Sequence, residues 1–153
     1  MADSGLADVL QIQRISLALA DRVIAAAVDC AAQAGTPQNI AVVDESGHLV
    51  AFKRMDGAKF IAVEIAINKA FTASGSRKAT AILSTAAAPG APAFGIQTQH
   101  AGRFTTLPGG LPLEIAGAVV GAVGVSSGSA VEDQAVAEAA VAAFIAVARK
   151  RAR

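Results

Sequence analysis

The chain has no tryptophan and no tyrosine, a single cysteine and two histidines. One cysteine cannot form an internal disulfide, and no run of Cys and His has metal-ligand spacing, so no metal is expected. Cys30 falls in a helical pattern and reads as a small buried hydrophobe rather than a nucleophile. A charge excess is also missing: thirteen basic residues balance twelve acidic ones, for a formal net charge of +1. The one basic cluster, residues 149–153, complements the negative end of a last helix. With no wider positive face, and with six phenylalanines but no Trp or Tyr, the chain lacks both a phosphate grip and a stacking platform. No nucleic-acid partner is expected. The apolar stretch from Ala116 to Val125 is broken by three glycines and is too short for a bilayer, so no membrane association is expected. The first residues lack the basic start and apolar stretch of a signal peptide, and a cytoplasmic protein is expected.

What is present is one domain's worth of chain, 153 residues, with 54% hydrophobic residues, many of them alanine. Small apolar residues in that excess imply buried surface beyond a monomer's own core, most simply in a symmetric homo-oligomer. From a Ser16 cap, Leu17, Ala20, Ile24, Val28 and Ala31 recur at helical spacing until Gly35 and Pro37 end the helix. Residues 1–15 are an ambiguous arm, and 16–153 form a single domain. Residues 39–44 and 48–54 flank Glu45-Ser46-Gly47 as a hairpin. A helix is predicted over 61–74, a shorter one over 77–86, and a long loop over 87–102. Strands are predicted over 103–107, 111–116 and 119–126. Ser129 and Glu132 form a capping box for a last helix to about Lys150. From Ala139 to Ala148 that helix has no polar residue, which predicts burial on all sides, partly by another subunit. Strands arriving in hairpins predict an α/β (α+β) fold, an antiparallel β-sheet flanked by α-helices.

Several side chains could carry chemistry. Arg54 and Asp56 sit where the second strand hands over to the second helix. Arg54 offers a planar fork for a carboxylate and Asp56 an acceptor, or the pair is a solvated Arg beside an Asp-Gly turn. Lys69 leaves the apolar face of its helix, so it is either a buried group in need of a partner or a chain that snorkels past small alanines. Gly109 and Gly110 can expose amides as a nest for a carboxylate or propionate. The last helix starts beside Ser126-Ser127-Gly128 and favours anions there, with Glu132 and Asp133 competing as first-turn charges or serving as proton carriers. His48 in the hairpin and His100 in the long loop are each a candidate axial haem ligand, a proton carrier or simply polar, and His100 is the better placed.

In order and spacing, Ala41-Val42-Val43-Asp44, Gly47, Arg54-Met55-Asp56-Gly57-Ala58, Lys69-Ala70, Gly102-Arg103, Gly109-Gly110-Leu111-Pro112 and Gly121 to Ser126 resemble the GlcG/HbpS family, as does the closing Glu132-Asp133. That family includes the C-terminal domain of PduO-type corrinoid adenosyltransferases. The resemblance covers the chain from Ser16 onward and departs from the family at Val125-Ser126-Ser127-Gly128, where Val-Ser-Gly-Gly is usual. It implies a profilin-like antiparallel sheet flanked by helices, assembled as a dimer or octamer. It also implies a protein that binds a small molecule or cofactor, with haem the candidate, in a catabolic or redox pathway. The ligand-binding candidates are then Arg54, Arg103, Gly109, Gly110 and His100. The alternative is a small catabolic enzyme of the lyase, isomerase or hydrolase type for a carboxylated or hydroxylated substrate, with Arg54 binding and Lys69, Asp56 and Asp133 as catalytic groups.

Overall fold

The computed structural model describes residues 9–151, with side chains through Ala148. Its elements are α1 (Leu17–Ala34), β1 (Asn39–Asp44), β2 (Leu49–Arg54), α2 (Ala62–Ser76), α3 (Thr80–Ala86), the one-turn α4 (Gln99–Gly102), β3 (Gly110–Ile115), β4 (Ala118–Ser126) and α5 (Ala130–Arg151). The four strands form one antiparallel sheet in the order β2-β1-β4-β3. Helices α1 and α5 cover one face and α2 the other, which is the sheet flanked by helices that the sequence predicted. Among the described residues no helix is long and apolar enough to cross a membrane.

Local chemistry explains the element boundaries. The Ser16 hydroxyl accepts the Leu19 amide at the start of α1, and Gly35, at φ 69°, ends it in the left-handed conformation. Side chains of the central strand β1 alternate between two cores. Ile40 and Val42 point to α1 and α5, where they meet Val123, Val125, Leu113 and Phe144. Ala41 and Val43 point to α2, where the partners are Ala66, Ala70, Ala73 and Ala122. The second core is built almost wholly of methyl groups, so α2 can lie against the strand backbones. A Cβ at Gly124 would stand 2.0 Å from the Ala66 carbonyl oxygen, and one at Gly110 would stand 2.5 Å from that of Lys69.

The segment before α1 docks at its end. The Ile15 amide donates to the Val120 carbonyl at 2.9 Å and its side chain is buried in the larger core. Arg14 grips Glu45 through two hydrogen bonds of 2.8 and 2.6 Å, holding that carboxyl down at about pKa 2.

One expectation is corrected. Residues 103–107 are not a strand: the Thr72 hydroxyl accepts the Thr105 amide at 3.0 Å and contacts the Arg103 carbonyl at 3.3 Å, so a side chain takes the place of a neighbouring strand. The last helix, expected to be buried on all sides partly by another subunit, keeps one side open within a single chain. Val131, Ala135, Ala142, Ile145 and Ala146 are exposed, while Val136, Ala137, Ala140 and Phe144 fill the core.

Candidate functional site

The apolar side of α2 carries Lys69 inward to the mouth of the β3–β4 pair. Its Nζ donates to the Val125 carbonyl at 2.8 Å and to Asp133 Oδ2 at 2.6 Å. Asp133 stands in the first turn of α5, and its second oxygen accepts the Gly128 amide at 2.9 Å. The Lys69 side chain is 2% exposed. Burial pushes the pKa of the ammonium down from its ordinary value, while the hydrogen bond and the charge of Asp133 oppose that shift. Gly109 closes the box at φ 109°, where a Cβ would lie 2.8 Å from the Val125 carbonyl oxygen and 3.2 Å from Lys69 Nζ. Lys69, Asp133 and Gly109 therefore meet in one place, as a sealed pin joining α2, β4 and α5. Arg54 and Asp56 lie elsewhere: Arg54 is exposed at the end of β2, and Asp56 is exposed in the turn closed by the Ala58 amide on the Met55 carbonyl. Lys69 presents no surface to a cavity that Arg54 could share.

The nest expected at Gly109 and Gly110 is also corrected. The Gly109 amide donates to Gln134 Oε1 at 3.1 Å and the Gly110 amide to the Thr80 hydroxyl at 3.0 Å. Both residues are buried, so these donors serve the fold and face no ligand.

A second cluster forms on the outer face of α2. The long loop returns there through α4, where His100 (φ 53°) and Ala101 (φ 55°) both adopt the left-handed conformation. For residues with a Cβ that backbone costs about 1–3 kcal/mol each, a cost often found where side-chain placement matters. The turn sets the His100 ring edge-on to Phe71, with centroids 5.3 Å apart, and the Arg103 guanidinium over the same Phe71 ring at 3.8 Å. Arg103 Nε also reaches Asn68 Oδ1 at 3.4 Å. Phe71 is in turn backed by the hairpin, since a Cβ at Gly47 would lie 2.8 Å from its ring. Beside the cluster opens a pocket of ≈ 290 Å³ lined by Ile65, Asn68, Phe104, Thr105 and Leu107, among others. His100 is exposed and Arg103 half-buried.

Of the predicted ligand-binding residues, this cluster gathers His100 and Arg103. Phe71, Asn68 and Phe104 were missed. In the sequence Phe71 stands among the apolar residues of its helix, and nothing local pairs it with a loop some thirty residues on.

Comparison with known proteins places this geometry in context. An uncharacterized 15.0 kDa protein encoded in the dhaT-dhaS intergenic region of Citrobacter freundii is 37% identical over 134 residues, covering 88% of this chain and 94% of that protein. The crystal structure of Klebsiella pneumoniae protein ORFY superposes with a TM-score of 0.90 at 34% identity, covering 94% of this chain and 99% of that one. The crystal structure of a PduOC:Heme complex superposes with a TM-score of 0.82 at 33% identity, covering 85% and 94%. The family model described as "Haem degrading protein HbpS-like" matches residues 15–142, from the docked Ile15 into the last helix, and the chain belongs to that HbpS-like family.

Proposed function

We propose that the protein binds a planar, carboxylated cofactor of the haem type on the outer face of α2. The observation that carries this reading is the placement of an exposed imidazole, His100, and a guanidinium, Arg103, on one Phe71 ring at the edge of an apolar pocket. Its donor set fits haem. A neutral imidazole nitrogen is an iron ligand, a guanidinium pairs with a propionate, and Ile65, Phe104 and Leu107 offer apolar contact to a macrocycle. Once bound, haem would supply an iron centre suited to redox chemistry. The chain's own part is to hold the imidazole outward on a left-handed turn and to fix the guanidinium by stacking it on Phe71. That a relative has been crystallised as a haem complex supports the choice of ligand.

Titration with ferric haem, followed at the Soret band, tests this. The wild-type protein is expected to bind saturably, and His100→Ala to bind at least about tenfold more weakly with an altered band. Equal titrations of the two proteins would remove His100 from the site.

We further infer that the working form is a homo-oligomer joined through α5. Val131, Ala135, Glu138, Ala142 and Ile145 recur at steps of three and four along its exposed side, an apolar stripe interrupted by one charge. Ala142→Arg is expected to reduce the assembly to a smaller species by light scattering, with the circular dichroism spectrum unchanged.

A further inference from the structure

Ahead of α1 the chain leaves the fold with apolar side chains uncovered. Ile15 and Arg14 anchor it, the first through the Val120 carbonyl and the larger core, the second through its grip on Glu45. Beyond that anchor no hydrogen bond holds residues 9–13 among the described residues, and Val9, Leu10 and Ile12 are 63%, 86% and 68% exposed. Single exposed apolar residues are ordinary, but three aliphatic ones within four positions form a patch that calls for a cover.

Beside the anchor lies an open groove of ≈ 480 Å³. Leu19 of α1, Ile115 and Val120 of the β3–β4 hairpin and Val147 of α5 make its apolar walls, with Arg14 and Arg22 exposed among them. No acidic residue lines it. Arg14 is paired with Glu45, whereas Arg22 has no acidic partner among the described residues.

Arm and groove match in chemistry and in place. Residues 1–13 hold Asp3 and Asp8 and no basic residue, so an apolar, acidic segment stands beside an apolar, basic groove. An extended segment sends Leu10 and Ile12 to the same side, as seating in a groove requires. A surface that carries both a projecting segment and the hollow that fits it is self-complementary about a two-fold axis. The groove also continues the open stripe of α5: Ala142, Ile145 and Ala148 follow at three-residue steps, and Ala148 is one of its walls.

We propose that residues 9–12 of one copy seat Leu10 and Ile12 in this groove of a second copy, and that the exchange is reciprocal. The inference rests on the α5 assembly proposed above and names the segment that closes it. By fixing where the arm leaves the fold, the Arg14–Glu45 grip lowers the ordering cost of the exchange.

The test uses the full-length chain with Cys30→Ser, which removes its one native thiol. Leu10→Cys/Ala18→Cys then places one thiol on the arm and one on an exposed wall of the groove. A short bismaleimide is expected to join two chains into a covalent dimer on a denaturing gel, and neither single-cysteine protein should give more than a trace. Leu10→Asp/Ile12→Asp is expected to raise the concentration for half-dissociation by about tenfold or more in analytical ultracentrifugation. Its circular dichroism spectrum should stay unchanged, because both side chains are exposed within one chain. Cross-linking within a single chain would put the arm on its own groove, and no cross-linking would leave the groove to another occupant. Either result overturns the exchange, as does wild-type assembly of the Asp variant. A wild-type protein that is monomeric at every concentration would sink the α5 reading as well. An assembled protein that Ala142→Arg disrupts, but whose arm does not cross-link to a second chain, sinks the arm exchange alone.

Discussion

A Gly124→Ala protein is expected to lose about 3 kcal/mol or more of folding free energy, a large part of the total for a domain this size. The added methyl would stand 2.0 Å from the Ala66 carbonyl oxygen and 2.5 Å from the Ala70 amide nitrogen. In an α-helix those two atoms are hydrogen-bond partners one turn apart, so the methyl would land on the helix backbone itself. A side chain in the way could rotate aside, but a backbone bond cannot, and α2 would have to lift from the sheet. Lifting it opens the methyl-lined core of Ala41, Val43, Ala66, Ala70, Ala73 and Ala122, whose contacts depend on close approach. Gly75→Ala is the matched control. This glycine lies in α2 itself, whereas Gly124 is in β4, and it has nothing within 4 Å of a new Cβ, so the change should stabilise the protein by about 0.5–1 kcal/mol. Urea unfolding followed by circular dichroism reads both. The midpoint should fall sharply for Gly124→Ala and rise slightly for Gly75→Ala, with the slope unchanged. An unshifted Gly124→Ala midpoint would mean that α2 does not sit on the sheet as described.

The close seating of α2 also shows which features a sequence can reveal. Hairpin, helix caps and capping box are local: Ser16, Gly35, Glu45-Ser46-Gly47, and Ser129 with Glu132 each act within a few residues of themselves. The position of Lys69 on the apolar side of its helix was equally legible, because alanine and isoleucine stand at its helical neighbours, but burial and snorkelling both fitted it. Its partner was not legible, since Asp133 lies 64 residues further on. The segment Arg103-Phe104-Thr105-Thr106-Leu107 has strand-like residues but no strand to pair with, because a side chain of α2 already satisfies its backbone. The pairing of Phe71 with His100 and Arg103 depends on a left-handed turn that nothing in the loop's composition announces. In α5 a run of alanines hides which side faces the core, and only tertiary packing separates Phe144 from Ile145.

Breaking the Lys69–Asp133 pin should cost as much as the glycine change, by the opposite route of leaving a charge buried and alone. Lys69→Met strands the Asp133 carboxylate and is expected to destabilise by about 3–5 kcal/mol. Asp133→Asn strands the ammonium instead, while its remaining oxygen can still accept the Gly128 amide. The double variant Lys69→Met/Asp133→Asn removes both charges. It should therefore be more stable than the sum of the single losses predicts, by about 2 kcal/mol. The pH response separates this account from simple loss of packing. Burial lowers the Lys69 pKa in the folded state and Asp133 opposes that shift, so taking away the aspartate charge depresses it further. Between that lowered value and the ordinary lysine value, the unfolded chain binds more protons than the folded one, and stability rises with pH. Asp133→Asn should accordingly gain stability between pH 7 and pH 10 more steeply than the wild type, and the double variant, having no lysine there, should not. Urea midpoints at the two pH values decide it. A flat response in Asp133→Asn would show that the ammonium is not buried, and the pin would then be no more than a surface contact. Haem titration of the double variant then asks whether the pin acts only on the fold. The outer face of α2 carries the Phe71 cluster on the same helix that Lys69 anchors, so an affinity within about twofold of wild type would confine Lys69 and Asp133 to holding that helix in place.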